Sequence, residues 1–404
     1  MSNRNKTVKT LVGTSLLSLS TLFSPNLLAD AVADALSSGK ASGDFRLRYE
    51  TVDQDNALKD ADALTLRTRI GYTTGTVSNF SGTIEFEDVR VVGGIDDYNS
   101  TQNGNGTYSV IADPETTEVD QAFIQYKDDL ATVKYGRQVV TLDNHRFVGH
   151  VGWRQDRQTF DAFSSVFTPA ENLKLTYAYL FKRNAIFAEA RDMKSKDHLL
   201  NASYTTSVGT ITGYGYLLEQ DDASELSYDT FGLRFTGATE LDSLKLLYTA
   251  EYATQEKDDR AGADFEADYM LLEGGIAISG ITAKLGYEVL GSDDGDYGFA
   301  TPLATLHKFN GWADQFLATP NQGLVDTYVS VGGGLAGGKW AVIYHEFEAD
   351  EEKGGIDDLG DEIDLVYSRP FGKTYSAGIK YAAYSAGDTK VDADKLWVWV
   401  GAKF

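Results

Sequence analysis

Arginine and lysine residues recur at alternate positions along several segments of this chain. Arg46 and Arg48 lie in GDFRLRYE, and Arg67 and Arg69 lie in ALTLRTRIGY, so each pair would project from one face of an extended strand. A guanidinium presents a planar fork of donors that suits carboxylates and phosphates, and rings of such cations favour anions in pores. The spacing therefore predicts noncovalent binding of anionic groups. The candidate residues are Arg46, Arg48, Arg67, Arg69, Arg137, Arg154, Arg157, Lys174, Arg234 and Lys245.

Acidic residues occupy the same predicted inner faces. They are expected to project beside the cations and are Glu50, Glu85, Glu87, Glu251 and Glu288. If the two sets form ion pairs, the arginines only stiffen the wall. The sequence leaves both interpretations open: an inner surface that attracts anions, or one whose charges cancel.

The residues needed for covalent or metal chemistry are missing or scattered. The five histidines show no HExxH or other paired-ligand spacing, and the chain has no cysteine. It also lacks a GxSxG elbow and a glycine-rich phosphate loop. An excess of 60 acidic over 36 basic residues argues against nucleic-acid binding. We therefore expect no enzymatic activity, no cofactor or metal, and no nucleic-acid partner.

The elements that must position these residues alternate between apolar and polar side chains. In NLKLTYAYLF, for example, the leucines, tyrosines and phenylalanine at odd positions from Leu173 to Phe181 share one face. Such alternation predicts β-strands with one apolar and one polar face. About eighteen such segments follow one another between residues 43 and 404, with sixteen as the alternative count. We predict an all-β chain.

The connections between these segments alternate in length. TTGTVSN, DDL, TPAEN and SVG follow even-numbered segments, whereas the long or acidic insertions follow odd-numbered ones. A soluble sandwich has no reason to keep every long loop at one end, but a transmembrane β-barrel has short turns on one side and long loops on the other. The pattern predicts a single antiparallel barrel in the bacterial outer membrane, wide enough to hold an aqueous channel.

Two long connections are candidates for narrowing such a channel. One runs from Asp143 to Gln158. The other is GFATPLATLHKFNGWADQFLATPNQG, in which apolar residues recur at helical spacing between Pro302 and Pro320, namely Phe309, Trp312, Ala313, Phe316 and Leu317. This spacing predicts a short amphipathic helix, placed either in the mouth of the barrel as a constriction or on its rim.

The first residues have the order of a secretory signal. Arg4, Lys6 and Lys9 precede the apolar stretch 11–23, and small residues follow at Ala29 and Ala31. We predict a signal peptide over residues 1–29, cleaved after Ala29 or Ala31, and a barrel over residues 30–404. A short buried helix is the alternative for the apolar stretch.

The last residues, KLWVWVGAKF, form an apolar and aromatic strand pattern. Alternate residues from Leu396 to Phe404 share one face, so this strand would pair with the first strand and remove the exposed sheet edge. A terminal aromatic on that face is typical of proteins inserted by the outer-membrane assembly machinery, and we expect Phe404 to contact it. Trp397 and Trp399 would face inward or join the interfacial aromatic girdle.

Acidic residues concentrate in connections predicted to lie outside the cell. These are DQDNALKDAD, EQDDASE and EADEEKGGIDDLG. They would either bridge to lipopolysaccharide through divalent cations, hold calcium, or be simply solvated. We expect outer-membrane lipid and lipopolysaccharide as neighbours of the barrel.

Several longer stretches resemble a known family. SGKASGDFRLRYE, VKYGRQVVTLDNHRFVGHVGWRQDRQTFDAF, ATPLATLHKFNGWADQFLATPNQGLVD and the aromatic C-terminus are together similar to the alginate-export family of bacterial outer-membrane porins. The resemblance implies an eighteen-stranded barrel with an arginine-rich, anion-selective conduit for a polyuronate. It assigns the role of lumen cation to Arg67, Arg69, Arg137 and Arg157.

These observations together predict a channel for the passive passage of anionic solutes, with uronate oligosaccharides or polysaccharides as one candidate class. Two alternatives remain open. One is a general, non-specific diffusion porin, and the other is a structural or adhesive barrel that acts through its acidic loops.

Overall fold

Strands with alternating apolar and polar residues form an eighteen-stranded antiparallel barrel in the computed structural model, which describes residues 25–259, 261–262 and 264–404. One helix, α1 (Pro25–Ser37), precedes it. The barrel strands are β1 (Lys40–Gln54), β2 (Ala61–Thr73), β3 (Phe80–Asp97), β4 (Thr116–Lys127), β5 (Ala131–Gln138), β6 (Thr159–Ala170), β7 (Leu173–Asn184), β8 (Met193–Thr206), β9 (Gly209–Glu219), β10 (Ser227–Leu241), β11 (Leu244–Asp258), β12 (Asp264–Ile278), β13 (Ile281–Leu290), β16 (Leu324–Leu335), β17 (Gly338–Lys353), β18 (Ile356–Phe371), β19 (Tyr375–Ser385) and β20 (Ala393–Lys403). A separate two-stranded hairpin, β14 (Ser292–Asp293) and β15 (Tyr297–Gly298), lies between β13 and β16. Two 3-10 turns cover Ala188–Arg191 and Leu306–Lys308.

Each barrel strand pairs with the next one along the chain, and the last pairs with the first. The β1–β20 register runs from Asp44 opposite Lys403 to Gln54 opposite Ala393. Closure gives the backbone groups at both ends of the meander a hydrogen-bonding partner. The predicted all-β barrel of about eighteen strands, closed by the C-terminal segment, is confirmed.

The barrel is apolar outside and polar inside, the reverse of a water-soluble barrel. Along β20, Val398 and Val400 are exposed on the outer surface, whereas Trp397 is fully buried on the inner side. Along β13, Leu285 and Tyr287 are exposed and Glu288 is buried. This arrangement matches strands that face lipid on one side and a polar interior on the other.

Short and long connections lie at opposite ends of the barrel. The short turns include 128–130, 171–172, 207–208 and 242–243, and the three longest connections, at the other end, are 98–115, 139–158 and 291–323. The predicted alternation of loop lengths therefore corresponds to the two ends of the barrel.

The acidic segment EADEEKGGIDDLG is not the loop that the sequence suggested. It continues β17 and β18 into a long hairpin, which closes at Gly354 and Gly355 with φ angles of 72° and 78°. Two consecutive residues with positive φ are what a tight two-residue hairpin turn requires, and glycine accepts that conformation without strain. Acidic residues alone do not favour strand pairing. Here the segment pairs because it continues β17 and β18, which are already paired in the barrel wall.

The amphipathic helix predicted between Pro302 and Pro320 is wrong. Only Leu306–Lys308 forms a single 3-10 turn there. Asn310, Gly311 and Asp314 all have positive φ, which an α-helix excludes. In addition, the Trp312 and Ala313 amides donate to carboxylates of the barrel wall, so they are not available for helical hydrogen bonds.

The predicted signal peptide, residues 1–29, lies mainly outside the described residues. Helix α1 spans both expected cleavage positions, Ala29 and Ala31. Its C-terminal end contacts the turn after β2, where the Gly75 amide donates to the Ala35 carbonyl at 2.8 Å. Within residues 25–404, as far as the structure describes them, no helix has the length and apolar character to cross a membrane.

Candidate functional site

Two long connections fold into the barrel interior and are joined to each other. We call residues 139–158 the first inner loop and residues 291–323 the second inner loop. Val148 and Leu303 form a parallel bridge, and the Gly149 amide donates to the Leu303 carbonyl at 2.8 Å. The Thr305 amide donates to the His145 carbonyl at 3.0 Å. The two loops therefore form one structural unit inside the barrel.

The first inner loop reaches two separate parts of the wall. Arg154 pairs with Glu50 on β1 at 2.9 Å, and Arg146 pairs with Glu288 on β13 at 2.9 Å. Since β1 and β13 are separated around the barrel by β16 to β20, the loop must cross the lumen to make both contacts.

The second inner loop is held by carboxylates that project from the wall. Glu362 on β18 accepts from the Ala313 amide at 2.7 Å, and Asp364 accepts from the Trp312 amide at 3.2 Å. The Asn310 amide group donates to Glu288 at 2.8 Å and to Asp326 on β16 at 3.0 Å. These contacts fix the loop inside the barrel, as the constriction interpretation of this segment anticipated.

Apolar packing fills part of the interior at the level of these loops. The ring of Phe147 lies 5.2 Å from Tyr214, 5.2 Å from Tyr269 and 5.9 Å from Phe299, measured between ring centroids. Phe316 packs on Phe347 at 4.7 Å. The lumen is therefore narrowed by a small hydrophobic core, and any solute must pass beside that core.

Most of the sequence-predicted cations lie next to a carboxylate. Eight of the ten form ion pairs: Arg48 with Glu50 and Asp113, Arg67 with Asp44, Arg69 with Glu87, Arg137 with Asp161, Arg154 with Glu50 and Asp314, Arg157 with Glu85 and Asp120, Arg234 with Glu251, and Lys245 with Glu240. All five glutamates expected on the inner faces pair with an arginine, Glu288 doing so with Arg146. The structure brings the predicted residues together as matched charges rather than as a row of free cations.

Two predicted cations have a different environment. Arg46 donates to the Gln155 side chain at 2.9 Å and to the Trp153 carbonyl at 2.8 Å, so its guanidinium caps the backbone of the first inner loop. Lys174 is exposed near the turn that precedes β7. Among the described residues, neither has a carboxylate within ion-pair distance.

The environment of the first inner loop perturbs its own titratable groups. Burial opposes the charge on Arg154, yet Glu50 and Asp314 hold its pKa above the usual value. Burial and the neighbouring carboxylate of Glu87 raise the pKa of Asp156 well above that of a free aspartate. Burial lowers the pKa of His150 to about 4. At neutral pH the loop therefore holds a charged Arg154 and a neutral His150.

Two adjoining cavities lie between the inner loops and the wall. One, of ≈ 480 Å³, is lined by Arg234, Lys308, Tyr328 and hydroxyl residues such as Thr249 and Ser330. The other, of ≈ 610 Å³, lies towards the short turns and is lined by Lys174 together with Ser203, Thr205, Thr210 and Thr212. Asn144, Arg234 and Thr236 line both cavities, which places them side by side along one wall. Together they provide a polar route past the packed core.

Sequence reasoning missed several residues of this interior. Lys308, which lines the smaller of the two cavities, donates to the Asn144 carbonyl at 2.7 Å and is otherwise exposed. Arg146 and Lys380 are also buried in the interior. Lys380 follows the same alternation as the predicted lysines and could have been found from it, whereas Lys308 lies in an irregular segment that carries no such signal. No group of metal-ligating side chains occurs among the residues that the structure describes.

Solved structures with the same architecture are bacterial outer-membrane proteins. OccAB4 of Acinetobacter baumannii is similar with a TM-score of 0.71 and 14% identity, over 92% of this chain and 100% of its own. OpdK of Pseudomonas aeruginosa, solved with vanillate, gives a TM-score of 0.71 and 14% identity over 91% and 99% of the two chains. OccK8 (OprE) of Pseudomonas aeruginosa gives 0.71 and 15% over 92% and 99%. At these identities the likeness establishes the shared fold.

Sequence comparison identifies the family. Comparison with curated proteins yields no significant match. A family model described as alginate export matches residues 37–302, which is most of the chain and includes β1 to β13 and the first inner loop. The expected family and the outer-membrane location are thereby confirmed. This chain belongs to the alginate-export family and is a porin-like β-barrel of the outer membrane.

Proposed function

We propose that this barrel passes small anionic solutes, carboxylates above all, along the wall between β7 and β17. The observation that carries the proposal is the position of Lys308. Its ammonium lines the cavity beside the inner loops and is bound to a carbonyl oxygen rather than to a carboxylate. An exposed cation without a paired anion attracts passing anions, and a narrow, partly apolar surrounding strengthens that attraction.

The other charges on the route are of both signs. Asp143 and Glu171 line the cavity towards the short turns, and Glu288 and Asp326, paired with Arg146 and His345, line the other cavity. Arg234 lines both cavities but pairs with Glu251, and Lys284 pairs with Glu273 at 2.9 Å. Such pairs contribute little net potential at a distance. Lys174, in the cavity towards the short turns, adds a second cation without an ion-pair partner among the described residues.

The lining also suits hydroxylated solutes. Threonine and serine hydroxyls that face the route bond mainly to one another, as in Ser203 with Thr212 at 3.1 Å and Thr236 with Thr249 at 3.2 Å. A hydroxyl both donates and accepts, so these pairs can exchange partners with a sugar. The family description and the vanillate in OpdK agree with carboxylate-bearing solutes, and uronate oligosaccharides or polysaccharides combine both features.

The second candidate is a general diffusion porin. The pairing of eight predicted cations with carboxylates favours it, because a neutralised wall has little preference between ions. Under this alternative the inner loops limit solute size only.

Planar-bilayer recordings across a KCl gradient separate the two candidates. We expect a reversal potential on the anion side for the wild type, moved towards zero by Lys308→Gln and unchanged by Lys373→Gln, an exposed lysine in the turn 372–374. Glucuronate should reduce the ion current more than the same concentration of glucose. A wild-type reversal potential at zero, with equal effects of the two sugars, would support the general porin instead. A barrel without measurable current would support the adhesive or structural alternative.

In this proposal the barrel lies among outer-membrane lipid and lipopolysaccharide, and Phe404 is the contact for the assembly machinery. In this proposal passage through the barrel is passive. The acidic hairpin and loops on the outer side contribute to contacts with lipopolysaccharide through divalent cations.

A further inference from the structure

The ammonium group of Lys380 on β19 is enclosed by aromatic rings. It lies 3.8 Å from the ring centroid of Trp312, 3.9 Å from that of Trp153 and 5.8 Å from that of Trp397. It also contacts Nε2 of His307 at 3.0 Å. We call Trp153, Trp312, Trp397 and His307 the tryptophan cage.

The members of this cage come from three separate parts of the molecule. Trp153 belongs to the first inner loop, His307 and Trp312 belong to the second, and Trp397 belongs to β20. Trp153 and His307 stack with centroids 4.9 Å apart and planes inclined by 4°, and Trp153 also meets Trp397 edge to face at 5.7 Å. Two wall residues, Lys380 and Trp397, therefore contact both inner loops within this cage, and Lys380 is the charged one.

A neutral His307 ring can accept a hydrogen bond from the ammonium of Lys380. Its Nδ1 lies 2.7 Å from Oδ1 of Asp314, so Nδ1 carries the proton and the lone pair of Nε2 faces the ammonium. Burial lowers the pKa of His307 to about 3, which keeps the ring neutral at physiological pH. One ammonium hydrogen bonds to this nitrogen, and the remaining charge faces the indole rings, which attract a desolvated cation strongly.

We propose that Lys380 is the positioning residue that fastens both inner loops to the wall formed by β19 and β20. Fastening the loops on this side leaves the polar route open along the wall between β7 and β17. It also sets the width of that route and the position of Lys308, which lies next to His307 in the chain. The proposal rests on the proposed function only for the identity of the solutes that use the route.

Recordings on Lys380→Met test this role. Loss of a desolvated cation–π contact raises the population of a displaced loop arrangement by roughly 30-fold. We expect larger and noisier single-channel currents and a reversal potential closer to zero, because Lys308 moves with its loop. Tryptophan emission should shift to the red as Trp153 and Trp312 become hydrated. Lys380→Arg retains a cation over the rings and should restore currents near those of the wild type.

Lys373→Met is the matched control, since this exposed lysine lies in the turn before β19 and should change neither current nor emission. Migration of unheated and heated protein on gels reports whether each barrel is folded. If Lys380→Met does not fold, Trp312→Leu, which changes only a loop, is expected to give the same larger currents and red shift. A folded Lys380→Met or Trp312→Leu barrel with wild-type currents and emission would overturn the proposal. A wild type without anion preference, combined with larger currents in Lys380→Met, would refute the proposed function and leave the role of Lys380 intact.

Discussion

Individual charged residues of the interior are held by matched partners. Arg48 is an example: its guanidinium is fully buried, pairs with Glu50 at 3.1 Å and with Asp113, and donates to the Trp153 carbonyl at 2.5 Å. Removing a charge from water costs free energy that only a partner offsets, so loss of one member leaves the other unsatisfied. The pairs therefore hold the loops in place, and breaking one of them lowers the stability of the fold.

Asp113 offers a direct test at this scale. Its carboxylate accepts from Arg48 and from the Gln155 amide at 2.8 Å, and it joins the connection 98–115 to the first inner loop. We expect Asp113→Asn to lower the free energy of unfolding by about 2 kcal/mol, because it removes one of the two carboxylates that pair with the buried Arg48 guanidinium and leaves only Glu50. Urea unfolding in detergent, followed by tryptophan fluorescence, measures this change.

Asp129→Asn is the control for that experiment, since Asp129 is exposed in the short turn 128–130. It should unfold at the same urea concentration as the wild type. Equal stability of the Asp113 variant and this control would show that the Arg48 pair contributes nothing to the fold.

The inner position of most arginines followed from alternation, but their partners did not. Arg46, Arg67 and Arg234 face inward because the residues beside them face lipid, and that rule is local. Arg154 and Glu50 are 104 positions apart, and their pairing depends on how a long loop enters the barrel. No local pattern encodes such a contact, so the balance between free and paired cations could not be derived from the sequence.

Among the elements, the closing strand was the easiest to predict and has the clearest terminal contact. The ring of Phe404 stacks on Phe45 of β1 at 6.2 Å. A side chain at Gly43 would meet that ring at 2.5 Å, so a larger residue there would displace the Phe404 ring from its position. The last aromatic therefore joins the two ends of the barrel as well as ending the chain.

We expect Phe404→Ala to reduce the folded fraction of the barrel in outer-membrane extracts several-fold. The reason is the lost contact with β1 together with the proposed contact with the assembly machinery. Gel migration of unheated samples measures the folded fraction. Phe371→Ala, at an exposed aromatic near the next short turn, serves as the comparison and should assemble normally. Equal folded fractions for the two variants would contradict a special role for the terminal residue.

The second inner loop should respond to acid. The pKa of His307, about 3 in the packed loop because of burial, is 6.5 when the ring is free, so the released loop binds a proton that the packed loop excludes. Packing is thus unaffected above pH 6.5 and weakens by about tenfold per pH unit between pH 6.5 and pH 3. Asp314, whose pKa is held low by His307, Lys395 and Arg154 despite burial, adds to the loss in the same direction at the acidic end.

Single-channel recordings at pH 7 and pH 4.5 measure this effect. The His307 ring contacts Lys380 and Asp314, and Arg154 pairs with Asp314. Because this ring binds a proton when the loop is released from these partners, we expect more frequent current steps at pH 4.5. His307→Gln, which cannot be protonated, should show a smaller difference between the two pH values. An unchanged difference in that variant would assign the acid response to other groups.

The same loop explains why one element was predicted wrongly. Its apolar residues do recur at helical spacing, and Ala313 and Phe316 are buried as an apolar helix face would be. The wall carboxylates Glu362 and Asp364 accept the amides that a helix needs, and they stabilise an irregular path instead. Periodicity reports which residues are buried, whereas the backbone path depends on partners far away in sequence.

For the whole molecule, the fold could be predicted because two independent sequence patterns agreed. Alternation within each segment fixed the faces of the strands, and alternation of loop length fixed the two ends of the barrel. The packing inside the barrel could not be predicted from the sequence, since it consists of contacts such as Phe147 with Tyr269 that join distant segments. The barrel wall could therefore be predicted from the sequence better than the channel inside it.

The excess of acidic residues is distributed unevenly over the molecule. Interior charges are largely paired, as in Arg69 with Glu87 and Arg183 with Asp197, whereas the outer hairpin of β17 and β18 carries unpaired acidic side chains at its tip, Glu351 and Glu352 being exposed. The formal charge of −24 thus reflects the outer rim more than the passage.

That hairpin ends at Gly354 and Gly355, where an added side chain would meet nothing within 4 Å. A foreign peptide spliced between these two glycines would consequently stand clear of the barrel, its strands still paired below. Living cells could carry such an epitope on their exterior, ready for antibody labelling, while ion flow through the protein continued at its native level.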